Sequence, residues 1–307
     1  MSVTISAADV NKLRQTTGAG MMDCRAALQE TNGDFEAAID FLRKKGQKVA
    51  AKRSDRDAKE GLVIAQTADD HSCGIIINLT SETDFVAKNE DFIKLGLSLS
   101  ETAMKNNCRS LEEFKACAYE NMTVADKIME TVAKIGEKID VTTLERLEGP
   151  SVIAYNHAGY RVAVLVAMNQ PYSEAIETAG KDVAMQIAAM NPVALDPASV
   201  PAETVAREKD IIMDQMKADP KMEGKPEEML SKIADGKINA YFKENTLLVQ
   251  PFVKDGSKTV DQYLKSVDKI NKLINCLFSI NFISQEDIYP DILYCIFSFG
   301  IFINLLY

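Results

Sequence analysis

An acidic residue followed by a large aromatic, just past the end of an apolar run, is what this chain offers most plainly to a second molecule. The pair is Asp84-Phe85, within Ser81-Glu82-Thr83-Asp84-Phe85-Val86-Ala87-Lys88-Asn89. The carboxylate supplies charge and hydrogen-bond acceptors, and the ring supplies volume that can displace packing in a partner. Other reactive chemistry is sparse. There are only two histidines, His71 and His157, and no Ser, Cys or Asp arrangement surrounds His157. The six cysteines, at 24, 73, 108, 117, 276 and 295, form no CxxC pair or His/Cys cluster, so neither zinc nor a disulfide framework is indicated. Gly18-Ala19-Gly20 lacks a following Lys-Ser/Thr and follows no strand, so it is no phosphate loop. The expectation is a protein that is not an enzyme, holds no cofactor or metal and binds no nucleotide directly.

The elements that must position the pair are readable. Gly74-Ile75-Ile76-Ile77-Asn78-Leu79 reads as a buried strand. A helix then starts at Thr83 or Asp84, where a hydroxyl or carboxylate can accept the first free backbone N–H groups. Asp84 and Phe85 thus fall in its first turn, at the lip of a sheet. Phe85, Phe92, Leu95 and Leu99 have roughly helical spacing, so spacing by itself favours a core Phe85 over an exposed one.

With 307 residues there is room for two or three domains. The formal charge of −10 and pI near 4.9 argue against a general nucleic-acid binder. Cysteine usage fits a reduced cytoplasmic compartment, and the opening residues lack the basic and apolar regions of a signal peptide. Residues 1–45 read as three helices capped by Ser6 and Asp34 and broken at the glycines 18–20. Met21-Met22 after that break is either core filler or an adaptable contact surface. Lys44 to Lys59 reads as a solvated basic linker helix.

Two strand pairs, each followed by a helix, open at residues 60 and 148 and suggest two related α+β units. Between them, Ser110 and Thr123 cap further helices. Residues 201–216 and 226–242 are two helical patterns around a polar turn, an antiparallel hairpin that buries little by itself. Val205, Ile212 and Met216 face one way on the first; Met229, Leu230, Ile233, Tyr241 and Phe242 supply the second. Residues 247–253 read as a returning strand and 258–267 as a short helix.

Four motifs then resemble the bacterial elongation factor Ts family, nucleotide-exchange factors for elongation factor Tu. They are residues 13–28, centred on Thr17-Gly18-Ala19-Gly20-Met21-Met22-Asp23-Cys24; Thr83-Asp84-Phe85-Val86-Ala87-Lys88-Asn89; Ala133-Lys134-Ile135-Gly136-Glu137; and residues 183–192, containing Gln186-Ile187-Ala188-Ala189-Met190-Asn191-Pro192. Gln250-Pro251-Phe252-Val253 is a weaker fifth, and the likeness runs over residues 1–269 in consistent order.

The resemblance implies an α+β fold in five parts. These are a ubiquitin-associated-like three-helix domain with the basic linker (1–55), a core N-subdomain (56–147), a core C-subdomain (148–200 and 246–269), an inserted coiled-coil hairpin (201–245), and a tail (270–307) outside the pattern. It implies that Thr83, Asp84, Phe85 and Val86 dislodge magnesium from elongation factor Tu, and that Met21, Met22, Arg25, Ile135, His157 and Val253 touch that partner. Beside Val253, Lys254 stands where the family is often apolar. Apart from the resemblance, the hairpin that stands off the body reads as a partner or dimer surface, and neither nucleic acid nor membrane is expected as a partner. The rival reading is an adaptor of the same fold that joins other partners through the three-helix domain and the hairpin.

From Ile270 the composition shifts. Residues 270–307 hold eight of the chain's 21 aromatics and four of its 80 charged residues, without a helical or alternating period. The first expectation is a translated frameshift. The second is a membrane anchor over 292–307, shorter than the ~18–20 apolar residues a span needs and without basic flanks.

Overall fold

The computed structural model describes residues 4–222, 225–267 and 273–280. Helix α1 (Ala7–Thr17) begins in a capping box, Ser6 accepting from the Asp9 amide while the Asp9 carboxylate reaches back. It ends at Gly18, left-handed with φ 65°. Helix α2 (Met21–Glu30) follows, and Asp34 caps α3 (Phe35–Lys52) by accepting from the Ala37 amide at 3.0 Å. Val10, Leu13, Cys24, Leu28, Ala38 and Leu42 close a small core of their own.

The basic stretch was expected to be a solvated linker, yet α3 is docked along one side. A Cβ at Gly46 would lie 2.9 Å from the Ala133 Cβ and 3.1 Å from the Met129 carbonyl, both on α7 (Val124–Ile135). Lys44, Lys45, Lys48 and Lys52 stay on the exposed side.

Strands β1 (Glu60–Thr67) and β2 (Cys73–Ser81) form an antiparallel hairpin. The short α4 (Asp84–Ala87), α5 (Glu90–Lys105) and α6 (Leu111–Ala116) follow, then the two-residue strands β3 (Ala118–Tyr119) and β4 (Met122–Thr123) ahead of α7. β5 (Asp140–Glu148) returns to the other edge of β2, giving the order β1-β2-β5. Leu62, Ile64, Ile75, Ile77 and Leu79 pack with Phe92, Leu99, Phe114 and Val132 of the helices.

The opposite face of this sheet is also covered. β6 (Ser151–Asn156), β7 (Val162–Met168) and β10 (Leu273–Ile280) form a second antiparallel sheet, ordered β10-β7-β6. Val63, Ala65 and Ile76 of the first sheet meet Val152, Ala163, Leu165 and Ala167 of the second. Burial on both faces explains why β2 and β7 are nearly unbroken apolar runs. Asn156 stitches the sheets together, accepting from the Ala65 amide at 2.8 Å and donating to its carbonyl at 2.9 Å. Helix α8 (Glu174–Met190) closes the outer face of the second sheet.

Helices α9 (Ala202–Ala218) and α10 (Glu227–Asn245) pair through Ile212, Met216, Ala234 and Ile238. Met229, assigned to the packed face from sequence, is instead exposed.

Two further expectations are corrected. Residues 247–253 do not form one strand. Gln250 donates from its side chain to the Glu244 carbonyl and Thr246 to the Phe242 carbonyl, so the chain coils through Leu247–Val249. Only Pro251–Phe252 (β8) then pairs, with β9 (Asp255–Thr259), before α11 (Val260–Ser266). Likewise the apolar stretch after residue 269 is not wholly outside the fold, because β10 pairs with β7 from Leu273↔Met168 to Ile280↔Val162. Residues 281–307, and with them the proposed anchor, lie outside the described residues, as do 268–272, where the composition shift begins. Among the described residues no helix is long and apolar enough to cross a membrane.

The α8 contact gives a direct test of packing. A Cβ on Gly180 would sit 2.7 Å from Ile153 Cγ1 and 2.9 Å from its Cβ, on a strand with no room to retreat. Gly180→Ala is expected to destabilise the protein by about 1–3 kcal/mol through overpacking. An unchanged urea midpoint would exclude this close approach.

Candidate functional site

The first sheet and its helices converge on one corner, where β2 ends and α4 begins. Thr83 occupies the N-cap position, but its hydroxyl caps nothing. It donates instead to Glu137 Oε1 at 2.8 Å. Glu137 Oε2 accepts the Glu82 and Thr83 amides, both at 3.1 Å. The arrangement is reciprocal: the Glu82 carboxylate accepts the Lys138 amide at 2.6 Å and Arg53 Nη1 at 2.7 and 2.8 Å. Gly136, left-handed with φ 82°, makes the turn out of α7 that brings Glu137 and Lys138 to this corner. Burial raises the Glu82 carboxyl pKa, but the Lys138 amide and Arg53 guanidinium outweigh it and hold the group below its ordinary range.

From that corner α4 makes a single turn and stops. Val86 packs on the first core and Ala87 is buried, whereas Phe85 is 82% exposed, the most exposed of the large apolar side chains described. The spacing argument for a core Phe85 fails for a definite reason. The helix is interrupted at Lys88 and restarted by Asn89, whose side chain accepts the Asp91 amide at 2.9 Å. Phe85 and Phe92 therefore lie on different helices. Asp84 accepts from Lys88 Nζ at 2.6 Å, and this bond, with Arg161 nearby, holds its carboxyl below the usual range. Asp84 is therefore an anion near neutral pH.

Phe85, Val86 and Phe92 share a cavity of about 650 Å³ with Ile135, Lys134 and residues 15–18. Ile135, 36% exposed at the end of α7, thus borders the same opening as Phe85. The cavity's far wall is the end of α1, where the Lys134 side chain lies against Gly18. Met21 and Met22 begin α2 just beyond, 55% and 74% exposed, and Arg25 is exposed one turn later.

His157 is exposed in the β6–β7 turn, its Nδ1 2.8 Å from the Tyr155 hydroxyl. That turn folds over β1. The Tyr160 carbonyl accepts the Val63 amide at 2.7 Å, and Arg161 lies 3.7 Å from Glu60. Val253 is not part of this cavity. It is 58% exposed in the β8–β9 turn, its amide donating to Gln186 Oε1 at 2.8 Å. The neighbouring Lys254 is tied to Asp182 at 2.6 Å.

Sequence reading missed Arg53, Glu82 and Glu137 as supports, because their bonds join residues 29 to 56 positions apart. It also missed the contact of the free thiols Cys108 and Cys117, 3.1 Å apart across α6. Burial, with the Cys117 contact, pushes Cys108 up to about 12, so that thiol stays protonated. Among the described residues no three His, Cys, Asp or Glu side chains are grouped to hold a metal.

An α+β chain that holds an anion and an aromatic into solvent, braced from behind, has the features of a protein that works through contact with another macromolecule. The family model described as elongation factor TS matches residues 82–282, from the braced corner through β10. The elongation factor Ts of Flavobacterium psychrophilum is 49% identical over 265 residues, 86% of this chain and 94% of the relative. That of Christiangramia forsetii is 51% identical over 264 residues, with the same coverage. That of Nitratiruptor sp. is 43% identical over 273 residues, covering 87% and 88%. The chain belongs to the elongation factor Ts family. The match to residue 282 also shows that the family pattern does not stop at 269.

The corner should be acid-sensitive. Glu82 titrates lower in the folded protein than in the unfolded chain, so its bonds stabilise the fold above the ordinary glutamate range of about 4.3. That stability is lost as pH falls through the folded value. The urea midpoint is expected to drop between about pH 5.5 and about pH 3.5, and Glu82→Gln to remove part of that drop. An identical drop in the variant would count against this role for Glu82.

Proposed function

We propose that this chain is the guanine-nucleotide exchange factor for elongation factor Tu, acting in the cytoplasm during translation elongation. The supporting observation is Phe85, held 82% exposed beside a charged Asp84 on a one-turn helix. In the partner GTPase, magnesium and a phosphate loop neutralise the phosphates of GDP. A ring and a carboxylate pushed against the elements holding that metal weaken the neutralisation, and GDP leaves. Thr83, Asp84, Phe85 and Val86 form this wedge: Phe85 supplies volume, Asp84 charge, and Val86 the anchor into the core. Met21, Met22 and Arg25 of a ubiquitin-associated-like domain, Ile135, His157 and, farther off, Val253 supply affinity. The two sheet-and-helix units are the related subdomains that hold these contacts apart. The factor needs no catalytic group, because an effector that favours the nucleotide-free state must itself be bound less tightly when nucleotide is present. GTP thereby ejects it.

Combining Asp84→Ala with Phe85→Ala is expected to leave the fold and most partner binding intact. Release of labelled GDP should slow by about thirtyfold, the ~2 kcal/mol of a hot-spot side chain. Release at the unaltered rate would defeat the wedge.

The hairpin presents Ile211 and Met229 to solvent, 39% and 49% exposed, and we assign it to a contact with a second copy. Met229→Lys should shift sedimentation toward the smaller species. A species unchanged by the substitution would rule this surface out.

A further inference from the structure

We propose that Glu137 is the positioning residue of the Asp84–Phe85 edge, and that Arg53, through Glu82, sets the same corner from the N-terminal helices; the proposal rests on the wedge reading above. A helix of one turn cannot hold its own direction, since nucleation costs more than one or two hydrogen bonds return. In α4 those bonds are Ala87 to the Thr83 carbonyl at 3.3 Å and Lys88 to the Asp84 carbonyl at 3.0 Å. The N-cap hydroxyl adds nothing to the helix. Its direction must be imposed from outside, and Glu137 imposes it with three bonds on two consecutive residues.

Glu82 and Glu137 are carboxylates in neighbouring turns, so their mutual repulsion must be offset. Arg53, the residue that ends α3, supplies the cation at 2.7 and 2.8 Å from Glu82. Lys138 binds the same segment, donating from Nζ to the Ser54 and Arg56 carbonyls at 2.7 and 2.9 Å. The exit of α3, the exit of α7 and the start of α4 are therefore one bonded unit. Glu137 is half-buried behind the edge and does not line the cavity bordered by Phe85 and Ile135. Its loss would disturb the aim of the wedge and leave the outer contacts in place.

The variants distinguish aim from bulk. Glutamine can reproduce the bonding, with Oε1 accepting both amides and Nε2 donating to the Thr83 hydroxyl, which accepts as readily as it donates. Alanine cannot. Labelled-GDP release from elongation factor Tu is measured against full-length factor concentration, with thermal midpoints alongside. Glu137→Ala should lower the maximal release rate about tenfold with little change in half-saturating concentration, and Glu137→Gln should stay within about twofold of the native protein. Arg53→Gln should lower the maximal rate by about threefold, and serves as the test should Glu137→Ala fold poorly. The Asp84→Ala, Phe85→Ala double variant runs in parallel. If it slows release while folded Glu137→Ala or Arg53→Gln keeps the native maximal rate, the positioning role is overturned and the wedge stands. If it too is unchanged, the wedge reading itself fails. A rise in half-saturating concentration without a fall in maximal rate would also overturn the positioning role.

Discussion

Two glutamates that trade backbone amides across a corner are the constraint on which the rest of the candidate site depends. Glu137 accepts the amides at the end of β2, and Glu82 accepts the amide at the start of the chain leading to β5. β2 and β5 are already neighbours in the sheet, paired from Cys73↔Glu148 to Thr80↔Asp140. The exchange therefore extends the ladder by side-chain means beyond the point where the backbones diverge. Buried or half-buried amides are satisfied that would otherwise be orphaned. Because β2 is the central strand, covered by helices on one face and by the second sheet on the other, its end is a fixed point. The solvent edge inherits that rigidity through three side-chain bonds.

The same geometry explains how a phenylalanine can remain exposed. A buried Phe is favoured by roughly 1.5–3 kcal/mol over an exposed one, so a flexible turn would fold Phe85 onto the apolar wall beside it. Such a wall exists, since Val86, Phe92 and Leu95 line the adjoining cavity. The two glutamates hold α4 in the direction that sends Val86 inward and Phe85 outward, leaving that apolar surface uncovered. Exposure of the ring thus runs against local stability at this position, and the carboxylates decide the outcome.

Much of this was legible in the sequence wherever a signal is local. Ser6, Asp34, Ser110 and Thr123 each cap the helix that the sequence assigns to them, and the apolar runs of β2 and β7 announce buried strands. What was illegible depends on distant partners. β5 reads poorly because its buried residues Val141, Leu144 and Leu147 fall three apart: the register shift opposite Asn78–Leu79 separates the first two, and Leu147 packs on the second sheet whereas Leu144 packs with the helices. β10 was set aside on composition, although its backbone finds the free edge of β7. Phe85 was misjudged by spacing because the break at Lys88 and Asn89 is a capping event, invisible to a count of apolar positions.

The charge at the edge has a further consequence for how its energy is divided. Asp84 is already paired with Lys88 at 2.6 Å on an exposed surface, where such pairs contribute little. A partner that engages the carboxylate exchanges one weak pair for another, with little net affinity gained or lost. In the proposed wedge, charge at this position also directs the approach and fixes orientation, as surface charges do. The ring borders the cavity with Val86, Phe92 and Ile135 yet stays 82% exposed. Lys254, paired with Asp182, repeats the arrangement beside Val253: the cation is satisfied internally, and the exposed valine is left as the apolar surface. In both places an internal ion pair lies beside an exposed apolar side chain, Phe85 in one and Val253 in the other.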